Sequence, residues 1–380
     1  MKNPSVTILS HYAPSVINFR GPLIRELLSA GHQVTVLAPD WTSEQVAALN
    51  GMGVQVVHMP LARVGLNPLQ DLQTLRFLWG YLRRNRPDVV FSYAAKTNVW
   101  GMLAAALAGI PHRVAMVEGM GYAFTEGSDG RRRYKQRLLG RVLSGLYRLA
   151  FRYSHTVVVL NPDDARDLQA SAGLTLEKTV VLGGIGVPLE EWPPQPPHLA
   201  PITFTLVARM LREKGVFEFL HAAQRVKARH PQVRFCLLGG LDSNPGAIQA
   251  ADLQPWVEEG IVEWPGQVAV KPWLAATSVF VLPSYREGVP RSTQEAMAMA
   301  RPVITTDVPG CRETVVEGVN GLMVPPRDVD ALMQAMERFI TEPELVGRMG
   351  VESHRLAEEK FDVRVVNRRL MEVLFGEPSF

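Results

Sequence analysis

The chain has 380 residues, with 40 Lys plus Arg against 37 Asp plus Glu and a formal net charge of +3. This balance excludes a strongly charged tail as the main functional feature. With 47% hydrophobic residues the chain can bury a large core, and at roughly 150 residues per domain that core should be divided between two domains. Its two cysteines, Cys236 and Cys311, argue against a disulfide framework or a thiolate metal cluster.

Apolar, β-branched runs alternate with helical patterns along the whole chain. In the first half the runs cover residues 6–9, 34–37, 54–59, 88–91, 112–117 and 156–160. In the second half they cover residues 202–207, 233–238, 261–262, 279–282, 303–304 and 322–324, and the last helical patterns cover residues 331–340 and 363–374. Strands that are apolar throughout suit parallel sheets covered on both faces, so two doubly wound α/β units are predicted.

A proline-rich segment separates the two series of strands. Residues 187–201 contain six prolines, too many for a helix or a central strand. We predict a Rossmann-like domain at residues 1–186, a linker at 187–201, a second Rossmann-like domain at 202–358, and a terminal helix within 359–380 that packs back on the first domain. Two such sheets facing across a cleft would place a ligand site at the carboxyl ends of their strands.

No segment has the features of a membrane span or a secretory signal. The longest mostly apolar stretch, residues 99–111, falls short of the roughly 20 residues that a span requires. The N-terminus offers one lysine and then Asn3-Pro4 before a short apolar run. We therefore expect a cytoplasmic protein.

The most informative segment, residues 284–298, follows the apolar run at 279–282. A strand, a glycine-containing loop and a helix that begins at Pro290 would direct backbone N–H groups and a helix N-terminus at a phosphate. Glu287 in the loop and Glu295 in the helix could then accept hydrogen bonds from sugar hydroxyls. On spacing alone, two solvated surface glutamates fit equally well.

A second cluster follows the first strand of the C-terminal half. Arg209 at the strand end and Lys214 near the next helix could together clamp a diphosphate. Taken alone, the cluster fits an ordinary basic turn at least as well.

These residues carry a family resemblance. Glu287-x7-Glu295, with Pro283-Ser284 before it and residues 296–304 after it, closely resembles the donor-binding signature of family 4 glycosyltransferases of GT-B fold. Arg209, Lys214-Gly215, Gly310-Cys311-Arg312-Glu313 and Asn320-Gly321 fall in the order of that family. Motifs of the N-terminal half look like a bacterial branch that extends undecaprenyl-diphosphate-linked sugars and includes N-acetylgalactosaminyltransferases: Asn18-Phe19-Arg20, Gly31-His32, Lys96-Thr97, Glu118-Gly119-Met120-Gly121-Tyr122 and Asn161-Pro162-Asp163-Asp164.

The resemblance implies a UDP-sugar donor and retention at the anomeric carbon. Arg209 and Lys214 would neutralise the diphosphate and stabilise the departing UDP, in place of a metal. Glu295 would hold the ribose hydroxyls, and Glu287 would contact the donor sugar. The implied donor-binding residues are Arg209, Lys214, Glu287, Gly288, Val289, Pro290 and Glu295.

The acceptor side is implied by the same resemblance. Glu118, after the apolar strand that ends at Val117, would lie near the reacting centre, although it also fits a carboxylate that caps the next turn. The implied acceptor-binding residues are Asn18, Arg20, Lys96 and Tyr122. The loop at residues 10–21 departs from the family pattern, because it lacks the glycine pair that many relatives carry after the first strand.

Residues 131–152 contain eight basic side chains and no acidic one. At helical spacing one broad apolar face is shared by Leu138, Leu139, Val142, Leu146 and Leu149. Arg137, Arg141, Arg148 and Arg152 lie more nearly opposite, as in helices at anionic membrane surfaces. The predicted membrane-contacting residues are Arg131, Arg132, Arg133, Lys135, Arg137 and Arg141. Nucleic acid binding is the obvious rival for a basic patch, but the near-neutral total charge and the lack of a recognition fold argue against it, so no nucleic acid partner is expected. A core helix with a solvated basic face is the other alternative.

The leading hypothesis is a retaining enzyme on the cytoplasmic face of the inner membrane. It would move a hexose or N-acetylhexosamine, with N-acetylgalactosamine favoured, from UDP to a polyprenyl-diphosphate-linked saccharide. Asp328-Val329-Asp330 has the spacing of a metal-binding aspartate pair but follows Pro325-Pro326 and opens a helix, so helix capping explains it better and no metal or other cofactor is expected.

Other functions share this architecture. A UDP-N-acetylglucosamine 2-epimerase would release free epimerised sugar without an acceptor. A sugar-nucleotide-binding protein would bind UDP without turnover. A nicotinamide-dependent oxidoreductase is disfavoured because the turn after Leu9 lacks the required glycines.

Overall fold

The computed structural model describes residues 3–62, 67–127, 129–132, 134–242, 244 and 246–376. Contacts divide these residues into two compact units. Unit 1 holds residues 3–119, Leu138–Ile185 and residues 364–376, and unit 2 holds Met120–Arg137 and Gly186–Val363. Met120–Arg137 therefore groups with unit 2, although it lies inside the predicted domain at residues 1–186. The domain boundaries that the sequence suggests stay predictions.

Unit 1 is built on a parallel sheet. Its described strands are β1 (Ser5–Leu9), β2 (Gln33–Ala38), β3 (Gln55–His58), β4 (Val89–Tyr93), β5 (His112–Val117), β6 (Thr156–Val159) and β7 (Thr179–Val181). The strand order is β3-β2-β1-β4-β5-β6-β7, and all neighbouring strands are parallel. The direction of winding changes between β1 and β4, the kind of switch point at which open parallel sheets bind ligands.

Helices connect the strands of unit 1. They are α1 (Ala13–Ser29), α2 (Ser43–Gly51), α3 (Pro68–Asn85), α4 (Ala95–Leu107), α5 (Tyr134–Tyr153) and α6 (Pro162–Ala172). Polar caps fix several helix starts: Asn67 accepts from the N–H of Leu69 at 3.1 Å, and Asn161 accepts from the N–H of Asp164 at 2.8 Å. These caps satisfy N–H groups that have no partner within the helix.

Unit 2 repeats the architecture with a smaller sheet. Its described strands are β8 (Thr203–Val207), β9 (Arg234–Leu238), β10 (Glu263–Gly266), β11 (Val279–Leu282), β12 (Val303–Thr306) and β13 (Gly321–Val324). They are parallel and ordered β10-β9-β8-β11-β12-β13, with the switch point between β8 and β11. The two parallel-sheet units confirm the predicted α/β fold class.

The helices of unit 2 are α7 (Val216–Arg229), α8 (Ala250–Glu258), α9 (Val270–Ala275), α10 (Arg291–Ala298), α11 (Val329–Thr341) and α12 (Glu344–Phe361). The final helix is α13 (Val363–Phe375). Helix α12 was not predicted from the sequence. Its buried residues include Leu345, Met349 and Leu356, which recur at helical spacing.

Aromatic side chains form the centre of unit 2. Phe204 on β8 stacks on Phe235 of β9 at 5.4 Å between ring centroids, and Phe219 of α7 meets Phe235 edge-on at 5.8 Å. All three rings are fully buried. Burial of each such side chain is worth about 1.5–3 kcal/mol, so this cluster fixes α7 on the sheet beside the end of β8.

The proline-rich segment and the terminal helix are both anchored by polar contacts. In unit 2, both terminal nitrogens of the buried Arg301 donate to the carbonyl of Pro196 at 3.0 Å. In unit 1, Asn367 of α13 donates to Glu26 at 2.8 Å, and a ring nitrogen of His112 lies 3.0 Å from the Val373 carbonyl. Helix α13 thus packs on the unit in which the chain begins.

Among the described residues, no helix combines the length and the apolar character needed to cross a membrane.

Candidate functional site

Three loops meet at the carboxyl ends of β8, β11 and β12, which are neighbours in the sheet of unit 2. The N–H of Tyr285, after β11, donates to the carbonyl of Glu213, after β8, at 2.9 Å. The N–H of Glu287 donates to the carbonyl of Pro309, after β12, at 3.0 Å. Backbone bonds therefore hold the loop at residues 283–290, the donor loop, between its two neighbours.

Two glycines allow the loops to come this close. Gly310 has φ +79°, and a Cβ there would lie 2.3 Å from the carbonyl oxygens of both Glu287 and Gly288. Gly215 has φ +72°, and a Cβ there would lie 2.1 Å from the carbonyl oxygen of Pro283. A side chain at either position would move the donor loop.

Lys214 and Glu287 form an ion pair at the centre of this site. The Lys214 Nζ lies 2.5 Å from the Glu287 Oε1, and the Ser284 hydroxyl donates to the same oxygen at 2.7 Å. The side chains of Lys214 and Glu287 are only 17% and 11% exposed. An ammonium has three N–H donors, so a lysine held by one carboxylate keeps capacity to bind phosphate oxygens.

Two helices begin at the same edge of the sheet. Helix α7 follows directly on Lys214 and Gly215, and α10 follows on Pro290. Among the described contacts, neither helix has a side-chain cap at its first turn. Their N–H groups and the positive ends of their dipoles favour a bound anion. The predicted donor residues Gly288, Val289 and Pro290 directly precede α10, and of these Gly288 and Val289 carry backbone N–H groups while Pro290 has none. Gln294 of α10 donates to the Val289 carbonyl of the donor loop at 3.1 Å and so helps to fix the conformation of that loop.

Glu295 lies one turn into α10 and pairs with Arg291. The Arg291 Nε donates to the Glu295 Oε1 at 2.9 Å, and both side chains are 15% exposed. Burial raises the pKa of Glu295, and Arg291 opposes part of that rise. Arg291 was not among the residues predicted from the sequence, although its spacing of four residues from Glu295 is the spacing of paired charges on a helix.

Arg209 has a different environment from Lys214. Its NH1 lies 2.7 Å from the Asp242 Oδ2, in the loop after β9, and its side chain is 57% exposed. The described contacts therefore join Arg209 to Asp242 and Lys214 to Glu287, and they show no contact between the two cations. The joint clamp on a diphosphate stays a prediction.

In unit 1, Arg20 of α1 is a buried arginine. It is 2% exposed, its guanidinium carbon lies 4.7 Å from the centre of the Tyr93 ring, and its NH2 forms an ion pair with Glu118. The Met116 sulfur lies 3.3 Å from the same nitrogen. Glu118, at the end of β5, is 26% exposed. Arg20 therefore holds Glu118 at the carboxyl end of the sheet, and the predicted roles of both stay predictions.

The other predicted acceptor residues are distributed over the two units. Asn18 is exposed on α1, and Lys96 at the start of α4 forms an ion pair with Asp71 of α3 at 3.0 Å. Tyr122 lies in unit 2, in a single turn of 3-10 helix, where its carbonyl accepts a hydrogen bond from Gln136 at 3.3 Å. No described contact brings these three residues together.

The basic segment leads into α5, which has one exposed face. Apolar residues at helical spacing on α5 are exposed: Tyr134 (78%), Leu138 (50%), Val142 (42%) and Leu149 (38%). Among the predicted membrane residues, Arg131, Arg132, Lys135, Arg137 and Arg141 are exposed, and Arg133 lies outside the described residues. The other face of α5 is buried through Tyr147, Ala150 and Phe151, so a core helix with a solvated basic face stays an alternative to the membrane contact, which stays a prediction.

Other polar groups have structural roles. The Asp328 Oδ1 accepts from the N–H of Ala331 at 2.9 Å and caps α11, as the sequence predicts. Both cysteines are free and buried, and burial raises the pKa of Cys236 to about 11 and that of Cys311 to about 12. Within the part of the chain that the structure describes, no group of three or more His, Cys, Asp or Glu side chains is arranged to hold a metal ion.

Two family descriptions match this chain. Residues 201–342 match the family "Glycosyl transferases group 1", and residues 20–184 match "Glycosyl transferase 4-like domain". One relative is the N,N'-diacetylbacillosaminyl-diphospho-undecaprenol alpha-1,3-N-acetylgalactosaminyltransferase of Campylobacter jejuni, 29% identical over 90% of both chains. Another is the UDP-Gal:alpha-D-GlcNAc-diphosphoundecaprenol alpha-1,3-galactosyltransferase of Escherichia coli, 24% identical over 78% of this chain and 77% of that protein.

Solved structures of the same fold cover nearly the whole chain. Anabaena HepE in complex with UDP and glucose superposes with a TM-score of 0.76 at 18% identity, over 98% of this chain and 100% of that one. Sucrose-phosphate synthase from Thermosynechococcus elongatus superposes with a TM-score of 0.78 at 18% identity, over 99% of this chain and 100% of that one. These likenesses confirm the predicted GT-B fold.

The close approach at Gly310 predicts a loss of UDP binding in Gly310→Ala. The matched control is Gly318→Ala, because Gly318 has a similar φ of +74° but no described atom within 4 Å of the position that a Cβ would take. Both variants carry the same backbone strain, but only the first pushes on the donor loop. We expect calorimetric titration to show UDP affinity about tenfold or more weaker for Gly310→Ala and nearly unchanged for Gly318→Ala. Equal affinities would contradict this role of Gly310.

The raised pKa of Glu295 predicts a pH-dependent contribution to UDP binding. An ionised carboxylate accepts hydroxyl bonds worth about 1.5–3 kcal/mol, so at pH 8 wild type should bind UDP about tenfold or more tightly than Glu295→Gln. As the pH falls, Glu295 protonates earlier than an ordinary glutamate and the advantage shrinks. The ratio of the two Kd values cancels the titration of UDP itself. A ratio that stays constant from pH 8 to pH 5 would exclude this role for Glu295.

Proposed function

We propose that this chain, which belongs to the group 1 glycosyltransferases of GT-B fold, transfers a hexose or N-acetylhexosamine from a UDP-sugar to a polyprenyl-diphosphate-linked saccharide. N-acetylgalactosamine is the favoured sugar, and the reaction serves bacterial polysaccharide or glycan assembly. The reaction retains the anomeric configuration of the donor and uses no metal. The observation that carries the donor assignment is the partly buried Lys214, paired with Glu287 at two helix starts.

The acceptor class is supported by the relatives. The names of the Campylobacter jejuni and Escherichia coli proteins both specify a sugar on undecaprenyl diphosphate, and the first of them names N-acetylgalactosamine as the transferred sugar. The similarity to the first protein extends over 90% of both chains, so it includes parts of both units, over which the predicted acceptor residues are distributed. In unit 1, Glu118 is the candidate carboxylate on the acceptor side, and the buried Arg20 fixes its position.

The donor chemistry follows from the charges of unit 2. When the bond between the anomeric carbon and the diphosphate breaks, negative charge grows on the leaving phosphate. The Lys214 ammonium and the first turns of α7 and α10 supply positive charge that is fixed before the reaction and needs little reorganisation. Glu287 holds Lys214 in place and can contact a hydroxyl of the donor sugar, while Glu295 accepts from the ribose hydroxyls. Arg209, which is more exposed, approaches the diphosphate from the loop after β8.

The exposed face of α5 supports the proposal that the protein lies peripherally at the cytoplasmic face of the inner membrane. Its exposed apolar residues Tyr134, Leu138, Val142 and Leu149 lie among exposed arginines and lysines. Apolar side chains bury in the interface of a bilayer while basic ones pair with anionic lipid headgroups. A surface of this kind brings the enzyme to an acceptor whose lipid remains in the membrane.

The transfer reaction itself provides the first test. Purified enzyme, a panel of labelled UDP-sugars and an extracted pool of polyprenyl-diphosphate-linked saccharides should give a labelled lipid with at least one donor. Lys214→Met should lower that rate by about 100-fold or more, the typical cost of one lost donor to a developing anion. The matched control Lys271→Met, at an exposed lysine of α9, should keep the wild-type rate.

The absence of transfer by wild type and an unchanged rate for Lys214→Met would lead to different conclusions. If wild type transfers no sugar to any lipid-linked acceptor, the proposed function is wrong. If wild type is active and Lys214→Met retains its rate, the function stands and the assignment of the donor site is wrong.

The membrane assignment predicts that exposed apolar residues of α5 contribute to lipid binding. The double variant Leu138→Ser with Val142→Ser should float with anionic vesicles about tenfold less than wild type, because each buried CH₂ contributes about 0.8 kcal/mol. The control is Leu176→Ser with Val351→Ser, at apolar residues that are 76% and 66% exposed elsewhere on the protein. Equal flotation of both variants and wild type would exclude α5 as the membrane contact.

A further inference from the structure

We call residues Met120–Arg137 of unit 2 the strap, and hydrogen bonds connect its described residues to one another. The buried Gln136 donates through its Nε2 to the carbonyls of Tyr122 at 3.3 Å and Thr125 at 3.2 Å. The N–H of Gly127 donates to the carbonyl of Arg131 at 3.0 Å, which closes the tip. These bonds join the two ends of the strap, so a contact at its tip also affects the position of Tyr122.

Arg327 contacts the tip of the strap. Its Nε donates to the Gly127 carbonyl at 2.7 Å, and its NH2 lies 3.5 Å from the Glu126 Oε2. Only 18% of the Arg327 side chain is exposed. A planar guanidinium can make both contacts at once, which a lysine ammonium does less well.

The same guanidinium lies on the donor loop. Its central carbon is 4.4 Å from the centre of the Tyr285 ring, and Tyr285 is two residues before Glu287. The Tyr285 hydroxyl donates to the Glu218 Oε1 at 2.6 Å, and both residues are buried. Burial raises the pKa of Tyr285, so its hydroxyl stays protonated as a donor. Arg327 thus bridges a ring fixed in the donor loop and the tip of the strap.

The backbone at Arg327 is strained to allow this bridge. Arg327 has φ +66°, a left-handed conformation that is unfavourable for a residue with a side chain. It follows Pro325-Pro326 and precedes Asp328, the cap of α11, so both of its neighbours are fixed. A glycine would satisfy this backbone without strain but would make none of the contacts.

We propose that Arg327 is a positioning residue that sets the strap against the donor loop and thereby sets the affinity for the acceptor. This inference rests on the proposed function and on the predicted contact of Tyr122, in the strap, with the acceptor. The strap ends in the first turn of α5, which begins at Tyr134. The nucleotide does not need this contact, because Lys214, Glu287 and Glu295 are held by bonds of their own.

Kinetics distinguish this role from a general loss of structure. For Arg327→Met we expect the KM of the lipid-linked acceptor to rise about tenfold, which corresponds to about 1.4 kcal/mol, while the Kd of UDP changes by less than about twofold. Arg327→Lys should recover part of the loss. Arg338→Met, at a half-exposed arginine of α11, is the matched control and should leave both constants unchanged. An unchanged acceptor KM, or a UDP Kd that rises as much as the KM, would overturn the proposal.

A second readout does not depend on activity. Arg131 and Arg132 are exposed in the strap and are sites for trypsin. Under native conditions, cleavage there should be about tenfold faster in Arg327→Met than in wild type or Arg338→Met, because a released strap opens more often. Absence of transfer by wild type would contradict the proposed function, whereas equal cleavage rates would contradict the role of Arg327.

Discussion

A partly buried ion pair between Lys214 and Glu287 is the interaction on which the site in unit 2 depends. Moving two charges out of water is expensive, and the cost is offset only where geometry and further hydrogen bonds are good. Around this pair the Ser284 hydroxyl shares the carboxylate, backbone bonds hold the donor loop on both sides, and Gly310 lets the neighbouring loop approach its carbonyls. The pair thus presents an ammonium at a fixed point beside two helix starts, which suits a leaving diphosphate better than a mobile surface lysine would.

The parallel sheets explain why chemistry gathers at one edge in each unit. In unit 2 the winding changes direction between β8 and β11, and the loops that follow these strands carry Lys214 and Glu287. In unit 1 the change lies between β1 and β4, and the buried Arg20 beside the Tyr93 ring fixes Glu118 at the end of the adjacent strand β5. Each unit therefore positions a carboxylate through a cation, the buried Arg20 in unit 1 and the partly buried Lys214 in unit 2.

The sequence predicted the elements that are governed by local patterns. Apolar runs located most strands, while the short edge strand β7 (Thr179–Val181), with only half-buried residues, gave too weak a signal. The predicted run at residues 261–262 ends just before β10 (Glu263–Gly266), the other edge strand. Helix α12 was missed although its buried residues recur at helical spacing. In the site, the motif spacing predicted Glu287 and Glu295, but the pairing of Lys214 with Glu287 joins residues 73 positions apart and follows from strand order. The burial of Arg20 and the bridge made by Arg327 depend on contacts between distant segments, and no local pattern of the sequence indicates them.

The most direct measurement is a calorimetric comparison of UDP and uridine, which differ by the diphosphate, on wild type and Lys214→Met. If Lys214 binds the diphosphate, the variant loses about 1.5–3 kcal/mol of UDP affinity, a factor of about ten to one hundred, and its affinity for uridine stays equal to that of wild type. Equal UDP affinity in both proteins, or an equal loss for UDP and uridine, would contradict the assignment of Lys214 to the diphosphate.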